Sequence, residues 1–396
     1  MPTASLKSKP ASFWRKLPKL QIHEHIDCSL RPRTCVELWA ERNFEIAEAG
    51  RKAGVAFPED IVALWRAEGA SASNLTASSR SAFVRKSRAE AVRRYDNWVA
   101  SFAQESLDNY LAAIIFHVLP LMHDPKNLTR IVRERIEDAV KDGHIGIELR
   151  FAPQLHLGED GTQNTLDEVM QAALAGIKDS PIPVKLILCA LRHEDLDMGV
   201  KVARLGVKYK RHVGVFDLAA SETMFPGVLP WWFEAAQVAI DGGLDLTIHL
   251  WETNEPTDED IRLLKLLDAL IAKRQKALGK GKPVRRMRIG HGVRGDRQGD
   301  WVIECCPTSN VVTGQYATFA DHPIDRLYRA GRRVTINTDG TLFTQVTLSD
   351  EYRKIAETFD WKLSDFLAAN LTTLEASTFS AAVKKRFARA LVAAYS

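Results

Sequence analysis

The side chains best suited to chemistry in this chain are histidines and carboxylates placed near the ends of short β-rich runs. In "LQIHEHID" (20–27), His23 and His25 are one residue apart, so in a strand both rings face the same side. Two imidazoles turned into a sheet interior are costly to bury unless they are paired or bound to a metal. His249 in "DLTIHLWE" (245–252), His291 in "RMRIGHGV" (286–293) and Asp339 in "RRVTINTD" (332–339) close three further runs. Three imidazoles and a carboxylate from this set suit one Zn²⁺ per chain, with a coordination position left open for water. Glu252 follows His249 by three residues and opens the next loop. There it is either a solvated acid or a carboxyl of raised pKa that gives a proton to a substrate.

Such a cluster forms only if the strands are parallel and end at one face. The remaining runs are "HIGIELRFAP" (144–153), "VKLILCALR" (184–192), "VGVFDLAA" (213–220) and "WVIECCPTSN" (301–310). Helical stretches separate them, such as "NLTRIVRERIEDAVKDG" (127–143), where Asn127 is expected to cap the start and Gly143 to mark the end. Alternating strand and helix predict a parallel sheet. Eight strands predict an α/β fold of the (β/α)₈ TIM-barrel type, whose catalytic groups sit at the C-terminal ends of the strands. An open doubly wound sheet is the runner-up, but no G-x-G-x-x-G follows the first run. Asp339-Gly340 reads locally as a hairpin turn. That reading weakens once this run is counted as the eighth strand. We expect a single catalytic domain over 1–396, with 1–16 as a flexible arm and 28–127 as a helical insertion after strand one, lying over the barrel mouth.

The chain has 396 residues, 45% hydrophobic and 26% charged, an ordinary globular composition. A net charge of only +4 gives no reason to expect nucleic acid. No run of about 18 apolar residues predicts a membrane span, and the basic residues 1–22 lack the apolar core of a signal peptide. The cysteines 28, 35, 189, 305 and 306 form no disulfide framework, so a cytoplasmic setting is expected. Cys305 and Cys306 are adjacent and face opposite ways, which disfavours a shared metal. The basic run 273–288 is expected to be a solvated loop on the bottom face before strand six. Glu148 and Arg150 are expected to form a buried ion pair, Trp231 and Trp232 to pack, and Arg192-His193 to serve a structural role. The subunit could pair with a second copy.

The blocks "LPKLQIHEHID" (17–27), "RFAP" (150–153), "LCALRH" (188–193), "FDLAASE" (216–222), "IHLWE" (248–252), "RIGHG" (288–292), "CPTSNVVTG" (306–314) and "VTINTD…TLSDEY" (334–352) resemble the adenosine deaminase family of zinc aminohydrolases. They occur in order along nearly the whole barrel. The resemblance implies a (β/α)₈ barrel in which His23, His25, His249 and Asp339 bind zinc. It implies that Glu252 protonates the ring nitrogen beside the attacked carbon, and that His291 orients the water and assists its deprotonation. It also implies a small heterocyclic substrate, water as co-substrate and release of ammonia.

The departures fall on the substrate side. The family's Asp-Asp at strand eight, whose second carboxyl contacts the five-membered ring of the purine, is here Asp339-Gly340. Its His-Ala-Gly-Glu is His249-Leu250-Trp251-Glu252, so an indole stands beside the proton donor, filling the pocket or offering a stacking face. A Gly that meets the purine is Ala220. Asp27 matches the ribose-contacting acid, but the Gly after it is Cys28. These five positions, Asp27, Cys28, Ala220, Trp251 and Gly340, are the expected substrate shell. The expectation is an active aminohydrolase on an amino-substituted purine-like heterocycle or nucleoside other than plain adenosine. The alternatives are deamination of a non-purine ring such as a pterin, a different metal-dependent barrel hydrolase, and a non-catalytic binding homologue. A two-metal hydrolase would want a bridging Lys or Glu at the end of strand four, where Glu222 stands only in the following loop. The motifs of the His/Cys/Cys nucleobase deaminases are absent.

Overall fold

The computed structural model describes residues 6–66, 76–104, 106–158, 160–227, 229–278, 287–295 and 299–396. Eight parallel strands are hydrogen-bonded in chain order, β1 (Lys19–Gln21), β2 (His144–Phe151), β3 (Val184–Leu191), β4 (Val213–Ala219), β5 (Asp245–Leu250), β6 (Arg288–His291), β7 (Val302–Cys305) and β8 (Arg333–Ile336). Helices separate them, and the result is the (β/α)₈ barrel expected from the alternation. The seam between β8 and β1 is closed just beyond the strands. The Asp339 N–H donates to the His23 carbonyl at 3.2 Å and the His25 N–H to the Asp339 carbonyl at 2.7 Å, around a parallel bridge between Glu24 and Asp339.

The strands read from the sequence are found, but most stop short. β8 ends at Ile336, and Asp339 lies in the seam bridge rather than in a hairpin. The run 301–310 is strand only to Cys305. Pro307, which lacks an N–H, then opens a short helix, Pro307–Val312. The helix before β2 runs Pro125–Lys141 and is capped by Asp124, whose carboxylate accepts the Lys126 N–H at 2.8 Å. Asn127 instead donates to the Leu121 carbonyl. Gly143 does end this helix, with φ +87°.

The interior of the barrel is polar. Glu148 and Arg150 share the inward face of β2, yet they do not pair with each other. Arg150 binds Asp217 of β4 at 2.9 Å and Glu304 of β7 at 2.6 Å, while Glu148 binds Arg288 of β6 at 2.7 Å. Residues i and i+2 point the same way, so each reaches across the barrel to an opposite charge instead. All five are at most 1% exposed, and buried charges persist only when paired in this way.

Two further expectations fail. Residues 6–16 are not an arm: Ala11–Lys16 is helical, and Trp14 is fully buried with its ring 5.6 Å from Phe366. Of the basic run 273–288, residues 273–278 extend the helix Asp258–Leu278, 279–286 lie outside the described residues, and Arg288 is the inward residue of β6. Trp232 is buried, as expected of a packing residue, and Arg192 donates to the His249 carbonyl at 2.8 Å.

The stretch between β1 and β2 carries the helices Pro32–Glu41, Glu48–Lys52, Glu59–Arg66, Ala77–Ser101 and Leu107–Ala113. Their own core is aromatic, with Phe57 and His117 rings 5.0 Å apart and Tyr95 Oη 2.9 Å from His117 Nε2. Among the described residues, no helix is long and apolar enough to cross a membrane.

Candidate active site and metal centre

The groups singled out in the sequence meet at the C-terminal end of the barrel. His23, His25, His249 and Asp339 present ligand-capable atoms that all lie within 4.8 Å of one another. Asp339 Oδ1 is 3.3 Å from His23 Nε2 and 3.5 Å from His25 Nε2, and the Nε2 atoms of His25 and His249 face each other at 3.0 Å.

Outside this cluster, each ring has a carboxylate at its other nitrogen. His23 Nδ1 meets Glu304 at 2.8 Å, His249 Nδ1 meets Asp217 at 3.1 Å, and His25 Nδ1 lies 3.6 Å from Asp27. A carboxylate at Nδ1 holds the proton there and leaves the Nε2 lone pair free. Three lone pairs and a carboxylate oxygen therefore converge, and the fully buried His23 Nε2 has no hydrogen-bond partner. A cation satisfies such a set, and its donors fit a metal of the zinc type. Burial holds the His23 and His249 imidazoles below their usual pKa, so both are neutral, as ligation requires. Burial opposes charge on His25 too, but Asp27 and Asp339 lift it.

Glu252 lies one side chain away. It is 7% exposed, and burial, with Asp339 and Glu222 nearby, pushes its carboxyl well above the usual range. The shift favours the protonated form. Asn310 Nδ2 lies 3.1 Å from both Glu252 Oε1 and His291 Nδ1, joining the two. The amide is oriented by His322, whose Nδ1 accepts the Ile324 N–H and whose Nε2 then donates to Asn310 Oδ1, each at 3.2 Å. Ser309 donates to Asp339 Oδ2 at 2.7 Å. The Pro307–Val312 helix thus holds Asp339 of the cluster together with Glu252 and His291. It is held in turn by Glu351, which accepts the Thr308 N–H at 3.1 Å.

Four residues just past or at strand ends have left-handed backbone: Ala220 (φ +81°), Trp251 (φ +60°), His291 (φ +60°) and Asp339 (φ +66°). Each costs roughly 1 kcal/mol or more and persists because its surroundings hold it. One device is visible beneath Trp251. The Glu222 carboxylate accepts the N–H groups of Trp251, Glu252 and Thr253 at 2.8, 2.9 and 3.1 Å.

The expected substrate shell divides. Cys28 and Gly340 adjoin each other: a Cβ built on Gly340 would lie 2.5 Å from Cys28 Sγ and 2.3 Å from the Tyr110 hydroxyl. Asp27 is 6% exposed and turned to His25, which with the Ala152 N–H holds its carboxyl low despite burial. Ala220 closes β4 half-buried. Trp251 is buried and packed on its own side of the turn. Its indole N–H donates to Asp260 at 3.2 Å, and its ring lies against Gly295 and 5.9 Å from Trp301.

Sequence reading missed the residues behind the ligands. Asp217 and Glu304 are visible only as acids within β-rich runs, one of which was assigned no role. Asn310 and Ser309 lay inside a quoted motif without a function, and His322 lies outside every block. Cys306 turns toward His23, His291 and Asp339, away from the core packing of Cys305. Adjacency excluded a shared metal but said nothing of Cys306 alone.

The adenosine deaminase family model matches residues 86–394. The adenosine deaminase of Clostridium acetobutylicum is 30% identical over 362 residues, 88% of this chain and 89% of its own. That of Mycobacteroides abscessus is 28% identical over 380 residues, 91% and 90% of the two chains. Among solved structures, the N6-methyl-AMP deaminase of Arabidopsis thaliana shares the fold with a TM-score of 0.69 at 20% identity, covering 97% of this chain and 98% of its own. The adenine deaminase of Arthrobacter aurescens does so with 0.67 at 18%, covering 95% and 98%. The chain belongs to the adenosine deaminase family, hydrolytic, metal-dependent deaminases that act on the C–N bonds of cyclic amidines.

Proposed function

We propose that the chain is a zinc-dependent aminohydrolase that replaces the exocyclic amino group of a purine-like base or nucleoside with oxygen and releases ammonia. The observation that carries this reading is the buried Glu252, tied through Asn310 to His291 beside the ligand cluster. An acid beside a ring that orients water is what hydrolysis of an amidine needs.

His23, His25, His249 and Asp339 would hold the zinc. When bound, zinc supplies Lewis acidity that lowers the pKa of a water to about 7. Glu252 gives its proton to the ring nitrogen, which makes the neighbouring carbon electrophilic. His291, whose Nδ1 accepts the Asn310 N–H, keeps its proton on Nε2 and orients the attacking water, and Asp339 takes one proton of that water as its oxygen bonds to the carbon. The tetrahedral adduct then expels the amino group as ammonia, which takes the proton from Asp339. The second water proton restores Glu252, and the ring nitrogen keeps the first as a lactam. The whole chain acts as one catalytic barrel domain, with the insertion forming one wall of its mouth.

An ammonia-release screen over adenine, adenosine, N6-methyl-AMP and pterins, with zinc quantified, tests the reading. Glu252→Gln should keep the zinc and lose turnover by about 10²–10⁴-fold. Full activity in that variant, or a fully folded wild type without metal, would overturn it.

A further inference from the structure

Tyr110 comes from the helix Leu107–Ala113 of the insertion, far from the barrel strands in sequence. Its ring is fixed by an edge contact with Phe343, centroids 4.8 Å apart. The side chain is 4% exposed, and its hydroxyl has no oxygen or nitrogen partner, only the Cys28 thiol beside it. The same hydroxyl sits against the Cα of Gly340, where any side chain would collide with it. Gly340 follows the ligand-cluster residue Asp339, so the hydroxyl stands at the edge of the site. A buried O–H without a partner is costly, and such groups in enzymes are often completed by what binds.

Resting on the purine-deaminase reading, we infer that Tyr110 is a specificity-determining residue. Its phenol, lodged where a side chain at position 340 would stand, donates a hydrogen bond to an unprotonated ring nitrogen of the substrate. Burial, then Cys28 and Asp339, push the phenol up, so it stays a donor. A donor there selects rings with an acceptor at that edge and leaves rings bearing C–H unmatched. Gly340 is required because a Cβ would displace the hydroxyl.

The test pairs a protein atom with a ligand atom. Inhibition constants of adenosine, 3-deazaadenosine and 7-deazaadenosine are measured on wild type, Tyr110→Phe and Gly340→Ala, with thermal unfolding in parallel. Adenosine should weaken by about three- to tenfold in Tyr110→Phe. One deaza analogue should bind wild type and Tyr110→Phe alike, which identifies the nitrogen. Gly340→Ala should reproduce that selective pattern, so the inference stays testable if Tyr110→Phe folds poorly. Equal weakening of all three ligands, or none, with wild type active on purines, overturns the role of Tyr110 alone. A wild type that neither binds nor turns over any aminopurine overturns the function together with it.

Discussion

Glu222 accepts the backbone N–H of Glu252 at 2.9 Å, and with it the N–H groups on either side. One carboxylate thereby fixes the backbone from which Glu252, the proposed proton donor, projects. Arg192, 3.7 Å away, completes its environment. Glu222→Gln keeps the shape but replaces an anionic double acceptor with one oxygen and an NH₂ that faces other donors. Charge-assisted bonds are worth about 1.5–3 kcal/mol each. The expected result is a kcat lower by about tenfold or more, with zinc content and KM little changed. Loss of zinc, or a change confined to KM, would refute a positioning role.

His322 acts two bonds away from the chemistry. Because it is neutral, with its pKa held at about 3 by burial, and its Nδ1 accepts an N–H, its Nε2–H can only donate to Asn310. That fixes the amide so that its NH₂ faces Glu252 and His291. His322→Phe should free the amide to flip and cost about tenfold in kcat. His322→Gln, which retains a donor, should recover part of it. An unimpaired Phe variant would show that Asn310 needs no such anchor.

Trp251 invites the wrong experiment. Its place beside Glu252 suggests that Trp251→Gly would enlarge the pocket, but the indole packs against Gly295 and Trp301. Removing a buried indole costs about 3–5 kcal/mol, and Gly at a φ of +60° returns about 1 kcal/mol. The variant should unfold at a clearly lower denaturant midpoint, with its preference among purines unchanged. A shifted preference at unchanged stability would place the ring in the substrate shell after all.

Glu351 gives a pH signature. Burial raises its pKa to about 7 from an ordinary 4.5. The folded chain therefore holds a proton that the unfolded chain has released between those values. Stability must fall as pH rises through that window, by up to about 3 kcal/mol in all. Glu351→Gln should flatten that part of the curve of unfolding midpoint against pH. An unchanged slope would mean that Glu351 is ionised in the folded state.

The barrel was legible because period-two runs alternating with helices admit few topologies, and the convergence of His23, His25, His249 and Asp339 because they stand at the ends of those runs. Strand ends were less legible. The chain leaves the ladder at Ile336, while the β character of "TINTD" continues, because Asp339 pairs across the seam instead. The Glu148–Arg150 pairing failed for a related reason: spacing tells which face a side chain takes, not which partner lies across a closed barrel. The packing of Trp251 against Gly295 and Trp301 was not legible, because its left-handed φ redirects the ring from where an extended backbone would aim it. Glu222, Asn310 and His322 act through contacts between distant segments, and no local pattern encodes these.

The seam has a consequence for how the enzyme comes into being. Asp339 closes the barrel through His23 and His25, and the same three side chains form most of the ligand cluster. During synthesis His23 and His25 emerge early and wait, with all the intervening strands still to be made, for the segment that completes them. No truncated nascent chain lacking that segment can hold the full ligand set. Metal loading would thus report a chain made at least through Asp339.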